Sequence, residues 1–401
     1  MKRNFVVGID IGTYQVKVMV CERGEKQDVP RVLGVGYAES RGLRHGYIIH
    51  QSDAVKSIRR AVRQAEQRSG ITIKSAFISV GGVGLTSNVG TGSVAITRAD
   101  SEITDYDVER AVTDSQESLP ATAINNRKVI HTIPLMYRID GKDVLGKPHS
   151  MKGVKLDVKT LFITCLENHL NELIQVVEDA GIDITDVIAS PLAAGFVSLN
   201  RSQKIAGCVL ANIGSETVSM VVYENNIPIS LEVFPIGSND ITNDIALGLQ
   251  VSIEEAEVLK MAQEDASRKI SKKKLEEIIL ARLSDIFDLI DAHLKKIHKN
   301  GLLPAGIVIT GGGSNIATIE DLAKAYLQLP SRVGTLVCDI SREECIPNNV
   351  DIKEATWAVA YGLCVFGLSS EGDGVIRSGA GIKVLRDGGR KIVEWVKQFL
   401  P

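Results

Sequence analysis

The sequence predicts an α/β protein of two lobes that share one duplicated plan. Its 401 residues exceed what a single hydrophobic core usually accommodates. Two distant segments also carry one pattern, since residues 6–20 read VVGIDIGTYQVKVMV and residues 208–222 read CVLANIGSETVSMVV. The aligned pairs are Asp10 with Asn212, Gly12 with Gly214, and Thr13 with Ser215. Each copy predicts a β-hairpin with a small-residue turn; chance likeness of two hairpins is the alternative.

Composition excludes several classes of function. Hydrophobic residues make up 44% and charged residues 24% of the chain, which is typical of a globular protein with large cores. The formal net charge is −3, from 46 basic and 49 acidic residues, so we expect no nucleic-acid partner. Asp10 and Lys17 interrupt the only N-terminal apolar stretch, and no run approaches the roughly 20 residues of a spanning helix. We therefore expect a chain that is neither exported nor membrane-spanning.

The cysteines predict buried thiols in a reducing cytosol. They lie far apart, mostly within apolar runs, and none has the CxxC spacing of a zinc site or a disulfide framework. They are Cys21, Cys165, Cys208, Cys338, Cys345 and Cys364.

The first half of the chain contains a segment whose predicted order of strands and helices differs from that of its surroundings. Strands predicted at 75–80 and 156–165 flank residues 82–155, which read as a strand, a helix capped by Thr104 with Asp107, and a strand pair at 129–139. This order predicts a small α+β subdomain inserted into the first lobe.

Helical periodicity places most remaining elements. Residues 53–69 and 168–180 each end at a glycine, as helices commonly do. A long helix-rich stretch ends near residue 301, and IVITGGGSNI at 307–316 predicts a buried strand that enters a glycine turn. Residues 355–366 predict one more apolar helix.

The C-terminal end predicts a linker and an amphipathic helix. Residues 369–389 contain scattered charge, many glycines and no sustained periodicity, whereas residues 390–401 form one apolar stripe on a helix. The stripe consists of Ile392, Val393, Trp395, Val396, Phe399 and Leu400, and the flanking basic residues are Arg390, Lys391 and Lys397. This pattern favours a weak anchor on an anionic membrane surface. Docking on the protein's own core is the alternative.

Three glycine turns each follow a predicted strand. They begin at Asp10, Asn212 and Gly311, and small residues at such turns let backbone N–H groups approach phosphate oxygens. Asp10 is suited to hold Mg²⁺ through water, and Lys17 to neutralise phosphate charge. None of the turns matches the Walker pattern or the dinucleotide fingerprint.

The order DIGT, a second DIG-like loop and a late TGGG resembles the actin, Hsp70 and sugar-kinase superfamily. More narrowly, the chain resembles the FtsA family of bacterial cell-division actin homologues. The likeness extends to GLRHGYIIH at 42–50, SVGGVGLTSN at 79–88, HTIPLMYRIDG at 131–141, ASPLAAG at 189–195 and EEAEVLKMA at 254–262. It covers essentially the whole chain.

The resemblance implies ATP bound between the lobes, with Mg²⁺ at Asp10. It assigns a first phosphate site, a second phosphate site and an adenosine turn. These are, in that order, Asp10, Gly12, Thr13 and Lys17; Asn212, Gly214, Ser215 and Thr217; and Gly311, Gly312, Gly313 and Ser314. Glu257 and Lys260, one helical turn apart, match the family's ribose and adenine contacts. Taken alone, that pair reads as a solvated surface ion pair.

The resemblance also implies an actin-like fold with subdomains 1A, 1C, 2A and 2B, in which an SHS2-type 1C insert replaces the 1B subdomain of actin. The implied ranges are 1–81 and 156–195 for 1A, 82–155 for 1C, 196–230 and 302–350 for 2A, 231–301 for 2B, 351–368 for a return to 1A, 369–389 for the linker and 390–401 for the membrane helix.

The function implied by the resemblance is an ATP-binding cell-division protein at the division site. It would self-assemble into filaments on the cytoplasmic face of the cell membrane and tether the tubulin homologue FtsZ through region 2B. Later division proteins would bind the 1C insert. A pilus-assembly actin homologue of the PilM type, which normally lacks the amphipathic tail, and a small-molecule kinase of the same superfamily are the alternatives.

One departure bears on catalysis. The second loop of the superfamily usually carries Asp followed by glycines, whereas this chain carries Asn212 and then Ser215-Glu216. Neutral Asn lacks the charge that helps to hold hydrated Mg²⁺. We expect Glu216 to crowd or skirt the phosphates; an inward-pointing Glu216 that replaces the missing charge is the alternative. The helix near residue 168 offers no obvious catalytic carboxylate, its candidates being His169, Asn171 and Glu172. The resemblance and these departures together predict ATP binding with weak or absent hydrolysis, and they assign no catalytic residue.

Overall fold

The computed structural model describes residues 5–23, 29–262, 272–340 and 350–372. The predicted membrane helix at 390–401 and most of the predicted linker lie outside the described residues.

The first lobe begins with a mixed sheet covered by one long helix. Its elements are β1 (Phe5–Ile11), β2 (Gln15–Glu22), β3 (Arg31–Glu39), β4 (Leu43–Arg44), β5 (Tyr47–Ile48), α1 (Gln51–Ser69) and β6 (Ser75–Val80). Strand β1 pairs antiparallel with β2 and parallel with β6. Helix α1 ends at Gly70, whose φ of 69° is the left-handed conformation expected of a glycine stop.

The insert has a four-stranded antiparallel sheet and its own small core. Its elements are β7 (Leu85–Ala95), α2 (Asp105–Glu117), α3 (Ala121–Ile124), β8 (Arg127–Ile139), β9 (Lys142–Val144) and β10 (Lys155–Leu166). The predicted cap is present, since the Thr104 N–H donates to Asp107 Oδ2 at 3.0 Å.

Two expectations for the insert are wrong. Residues 129–139 belong to one long strand, β8, which lies between β10 and the short β9 in the sheet. The predicted boundary at residue 155 also falls at the start of β10, which pairs along its whole length with β7 and β8. Because hydrogen bonding unites these strands, the insert continues to Leu166.

The chain then completes the first lobe with α4 (Glu167–Asp179), β11 (Asp183–Ala189) and α5 (Ser190–Ser198). Strand β11 runs parallel to β6. Helix α5 packs between the lobes: a Cβ added at Gly195 would lie 2.5 Å from the hydroxyl of Tyr223 in the second lobe. The two lobes are therefore joined by continuous packing at this helix.

The second lobe repeats the plan of the first. Its elements are α6 (Arg201–Ala206), β12 (Cys208–Ile213), β13 (Val218–Glu224), β14 (Ile227–Phe234), α7 (Ser238–Leu249), α8 (Ile253–Ala262), α9 (Lys272–Lys296), β15 (Ile307–Thr310), α10 (Ile319–Leu327) and β16 (Ser331–Val333). The sheet order is β14-β13-β12-β15-β16, and helices α7 to α10 share one core with it. The predicted start of region 2B at residue 231 therefore falls inside a strand of this sheet.

The C-terminal elements return to the first lobe. They are β17 (Asp339–Ile340) and α11 (Ala358–Gly372). Strand β17 pairs with β3, so the chain returns by residue 339, earlier than the predicted 351. Helix α11 extends to Gly372 and so includes the predicted first residues of the linker at 369; Ser369 Oγ donates to the Val365 carbonyl at 2.8 Å.

Cysteine burial agrees with the expectation where it is described. Cys21, Cys165, Cys208 and Cys364 are buried free thiols and Cys338 is half-buried, while Cys345 lies outside the described residues. Among the residues that the structure describes, no helix combines the length and hydrophobicity needed to cross a bilayer.

Candidate nucleotide site between the lobes

The two repeated hairpins form turns of the same geometry. In the first turn the Gly12 N–H donates to the Gln15 carbonyl at 3.2 Å, and in the second the Gly214 N–H donates to the Thr217 carbonyl at 2.9 Å. Strand register places Asp10 opposite Lys17 and Asn212 opposite Ser219. The duplication predicted from the sequence is thus present in three dimensions.

Each turn leaves backbone donors available. Within the described part of the chain, the N–H groups of Thr13 and Tyr14 in the first turn and of Ser215 and Glu216 in the second have no protein acceptor. Unpaired N–H groups in successive residues of a tight turn form the kind of concavity that binds anions. These turns fit phosphate oxygens.

Asp10 is held at the base of the first turn. Its Oδ1 accepts a hydrogen bond from Ser79 Oγ at 2.9 Å, and Ser79 Oγ in turn accepts from the Ile11 N–H at 3.3 Å. Burial raises the pKa of Asp10, while Lys17 and the Ser79 hydrogen bond act in the opposite direction. A nearby cation would further favour the carboxylate form, so Asp10 fits the role of a ligand to hydrated Mg²⁺.

Lys17 contacts the start of the apolar helix predicted before the linker, at residues to which the sequence analysis gave no role in the site. Its Nζ donates to the Thr356 carbonyl at 2.7 Å and lies 5.6 Å from the centroid of the Trp357 ring. Burial lowers the pKa of Lys17, whereas Asp10 and Glu354 raise it. No local motif identifies residues 354–357, because their role comes only from the return of the chain to the first lobe.

The third turn lies beside the second. Strand β15 runs parallel to β12 and pairs Thr310 with Asn212. Gly311 has a φ of 88°, and an added Cβ would collide with the Asn212 side-chain oxygen. The Gly311 N–H donates to the Ala355 carbonyl at 3.4 Å, and Ser314 Oγ donates to the Gly311 carbonyl at 2.7 Å. The third turn therefore connects the second turn to the segment that holds Lys17.

Glu257 and Lys260 on α8 belong to one network. Lys260 Nζ donates to Glu257 Oε2 at 2.6 Å, to Thr242 Oγ1 at 2.8 Å and to the Ser238 carbonyl at 3.3 Å. The side chain of Lys260 is 3% exposed and that of Glu257 is 47% exposed. The interpretation of Glu257 and Lys260 as a solvated surface ion pair is therefore wrong for Lys260. The Ser238 N–H donates to the Gly214 carbonyl at 2.9 Å, which connects this network to the second turn.

Glu216 and His45 form a contact that the sequence analysis missed. Glu216 Oε2 accepts from the His45 N–H at 2.5 Å, and His45 Nδ1 lies 3.0 Å from the Glu216 carbonyl oxygen. The neighbouring Gly46 N–H donates to Thr13 Oγ1 at 3.1 Å. Glu216 thus faces a turn of the first lobe. The glycines of GLRHGYIIH signal the turn itself, but nothing local in the sequence connects it to Glu216.

Among the described residues, the side chains considered for catalysis make no hydrogen bond or ion pair with the three turns. His169 is buried, its Nε2 lies 3.0 Å from the Gly81 carbonyl oxygen, and its ring packs edge-on against Tyr47 at 4.7 Å between centroids. Asn171 is exposed and Glu172 half-buried. In the described ranges no group of three or more His, Cys, Asp or Glu side chains could hold a metal. Asp10 is the acidic residue at the base of the first turn, whereas the carboxylate of Glu216 in the second turn accepts from the His45 N–H.

Sequence comparisons identify two matching regions. The family described as cell division protein FtsA matches residues 209–362, and the SHS2 domain inserted in FtsA matches residues 82–164. The cell division protein FtsA of Pseudomonas aeruginosa is 30% identical over 94% of this chain and 92% of its own length. The corresponding protein of Bacillus subtilis is 32% identical over 90% and 82%.

Solved structures show the same fold at low sequence identity. The PilM-PilN type IV pilus biogenesis complex matches with a TM-score of 0.66 at 16% identity, over 91% of this chain and 99% of that one. MreB 5 of Spiroplasma citri bound to AMPPNP matches with a TM-score of 0.54 at 12% identity, over 93% and 98%. At such identities the likeness to PilM concerns the fold alone. The chain therefore belongs to the FtsA family of cell-division proteins, with the actin-like fold and an inserted SHS2 domain.

Proposed function

We propose that this chain binds ATP with Mg²⁺ between its lobes. The observation that carries the proposal is the pair of equivalent turns, each with free backbone N–H groups, flanked by Asp10 and Lys17 of the first lobe. A structural neighbour, MreB 5, has AMPPNP in its solved structure. The turns would hold phosphate oxygens, Asp10 would hold the hydrated cation, and residues 311–314 with Glu257 and Lys260 would contact the nucleoside.

Hydrolysis is proposed to be weak or absent. Asn212 occupies the position of the second acid, and in the described part of the chain no carboxylate from residues 169–172 makes a hydrogen bond with the turns. A bound cation would supply charge neutralisation at the phosphates, but among the described residues His169, Asn171 and Glu172 make no contact with the turns by which they could activate a water molecule or an acceptor hydroxyl. The same lack argues against phosphoryl transfer to a small-molecule substrate. The nucleotide then acts as a structural ligand that favours one arrangement of the lobes.

The cellular role proposed is that of a membrane-bound adaptor at the division site. In this proposal the apolar stripe within residues 390–401 binds the inner leaflet of the cytoplasmic membrane, and the chain self-assembles there into filaments. Region 231–301 contacts FtsZ, and the insert contacts later division proteins. One short amphipathic helix binds membranes weakly, so a filament that presents many of them gains by multivalency.

Calorimetric titration with ATP and ADP in the presence of Mg²⁺ tests the nucleotide proposal. We expect saturable binding by the wild-type chain. Asp10→Asn should lower the affinity for Mg²⁺-ATP while leaving metal-free ATP less affected, because its amide cannot supply the charge that Mg²⁺ prefers. Asp183→Asn, at the exposed start of β11, is the matched control. Absence of nucleotide binding by the wild-type chain, or equal affinities for all three proteins, contradicts the assignment.

A further inference from the structure

The contact between Glu216 and His45 joins the two lobes directly. It has two parts, a carboxylate that accepts from a backbone N–H at 2.5 Å and a ring nitrogen 3.0 Å from a backbone carbonyl oxygen. A hydrogen bond to a charged acceptor is stronger than a neutral one. The contact therefore resists separation of the lobes only if both of its ends are held firmly.

The first-lobe end is firmly held. His45 and Gly46 have φ values of 48° and 86°, and the Gly46 N–H donates to Thr13 Oγ1 at 3.1 Å. The Val83 N–H donates to the His45 carbonyl at 3.3 Å, and the backbone at Gly46 packs against that of Gly82 with no room for a Cβ. Residues 45–46 are thus attached both to the first turn and to the segment that follows strand β6.

The second-lobe end is held by the start of α7. The Ser238 N–H donates to the Gly214 carbonyl at 2.9 Å, and the Asn239 N–H donates to the Ser215 carbonyl at 2.8 Å. A Cβ at Gly237 would lie 2.6 Å from the Glu216 nitrogen. Glu216 therefore projects from a loop whose backbone is attached to a helix of the second lobe.

A second connection between the lobes lies at the insert. Ser87 Oγ of β7 donates to the Leu231 carbonyl at 2.8 Å and accepts from the Leu231 N–H at 2.8 Å. Leu231 belongs to β14, at the edge of the second-lobe sheet. Separation of the lobes would have to break this pair of bonds as well. The rate at which the Leu231 N–H exchanges with solvent therefore reports lobe opening independently of Glu216.

We propose that Glu216 is a positioning residue that holds the two lobes together in the nucleotide-free chain. Its carboxylate joins the second turn to residue 45 of the first lobe, beside the first turn that Gly46 contacts, and it does so without a bound nucleotide. If Glu216 holds the lobes together, ATP and ADP should leave them equally closed, and this expectation rests on the proposed function. The expectation that the nucleotide-free chain is closed does not rest on it.

Hydrogen–deuterium exchange on the full-length, nucleotide-free protein tests the proposal. In Glu216→Ala we expect exchange at peptides covering residues 43–48 and 229–233 to accelerate about tenfold or more, because a charged hydrogen bond between the lobes is lost. Glu216→Gln, which retains a neutral acceptor, should give an intermediate effect. Glu117→Gln, an exposed residue of the insert, is the control. Unchanged exchange at 229–233 in Glu216→Ala overturns the proposal, even if 43–48 exchanges faster.

A second arm adds Mg²⁺-ATP or Mg²⁺-ADP to the same proteins. For the wild type we expect the same protection at 229–233 with either nucleotide, and for Glu216→Ala greater protection with ATP than with ADP. Wild-type protection that appears only with ATP overturns the proposal. If neither nucleotide binds, the proposed function fails, whereas the nucleotide-free arm still decides the role of Glu216.

Discussion

The Nζ atom of Lys17 lies 2.7 Å from the carbonyl oxygen of Thr356, a residue 339 positions later in the chain. The preceding carbonyl, that of Ala355, accepts from the Gly311 N–H at 3.4 Å. Residues 355–356 therefore contact the first-lobe lysine and the third turn of the second lobe at once. This segment leads directly into α11.

Substitution of Lys17 tests its role at the phosphates. We expect Lys17→Met to lower the affinity for Mg²⁺-ATP by about tenfold or more, because a buried cation beside phosphate oxygens is lost. The free energy of unfolding should also fall by about 1–3 kcal/mol, because Lys17→Met leaves the buried Asp10 carboxylate and the Thr356 carbonyl without the ammonium that faces them. Calorimetric titration and urea unfolding measure the two effects. Lys74→Met, at an exposed site, is the control, and equal affinities for the two variants would contradict the prediction.

The burial of His131 predicts that the folded protein loses stability in acid. Burial lowers its pKa from 6.5 to about 3, and its Nε2 accepts from the Ala189 N–H at 3.0 Å. Below pH 6.5 the unfolded chain binds a proton that the folded chain excludes, so stability present above that pH is lost as the pH falls toward 3.

The slope attributable to His131 should reach about 1.4 kcal/mol per pH unit. His131→Gln, which can still accept the bond, should reduce the pH dependence of the urea midpoint between pH 6 and 4. The exposed His50→Gln should leave it as in the wild type. A slope that His131→Gln does not change would show that other groups dominate.

Gly362 tests the packing of α11 on α5. An added Cβ would penetrate the backbone of Ala193, and neither helix can retreat without opening the core around it. We expect Gly362→Ala to destabilise the protein by about 1–3 kcal/mol, measured by urea unfolding. Gly312→Ala, where no atom lies within 4 Å of the added Cβ, should leave the free energy of unfolding nearly unchanged. Similar losses in both variants would be inconsistent with this packing.

The C-terminal stripe predicts membrane binding through apolar side chains. Trp395→Glu places a charge on the stripe, whereas Gln398→Glu makes the same change of charge beside it. We expect the intact chain and Gln398→Glu to sediment with anionic liposomes in the presence of ATP. Trp395→Glu and a chain truncated after Gly388 should remain in the supernatant. Sedimentation of the truncated chain would exclude the stripe as the anchor.

Much of this protein was predictable because its signals are local. The pairing of Asp10 with Asn212 followed from two similar strand-turn-strand segments, and those segments form equivalent hydrogen-bonded turns. Gly70 and Gly181 end helices with positive φ, as their positions after periodic segments indicated. The Thr104 cap was likewise readable from a spacing of three residues.

The errors and omissions concern contacts between distant residues. The insert ends later than predicted because β10 pairs with β7, about 70 residues earlier. Taken alone, the spacing of Glu257 and Lys260 indicated a solvated ion pair, yet α7 covers Lys260.

The amino-acid sequence by itself determined the turns, the helix ends, the duplicated plan and the family, since backbone preference and hydrophobic period act over a few residues. Only the tertiary structure decided which lobe Glu216 contacts and where Lys17 points. Those contacts join residues 171 and 339 positions apart. The first exists because packing at α5 brings the two lobes together, and the second because the chain returns to the first lobe before α11. No local preference encodes either distance.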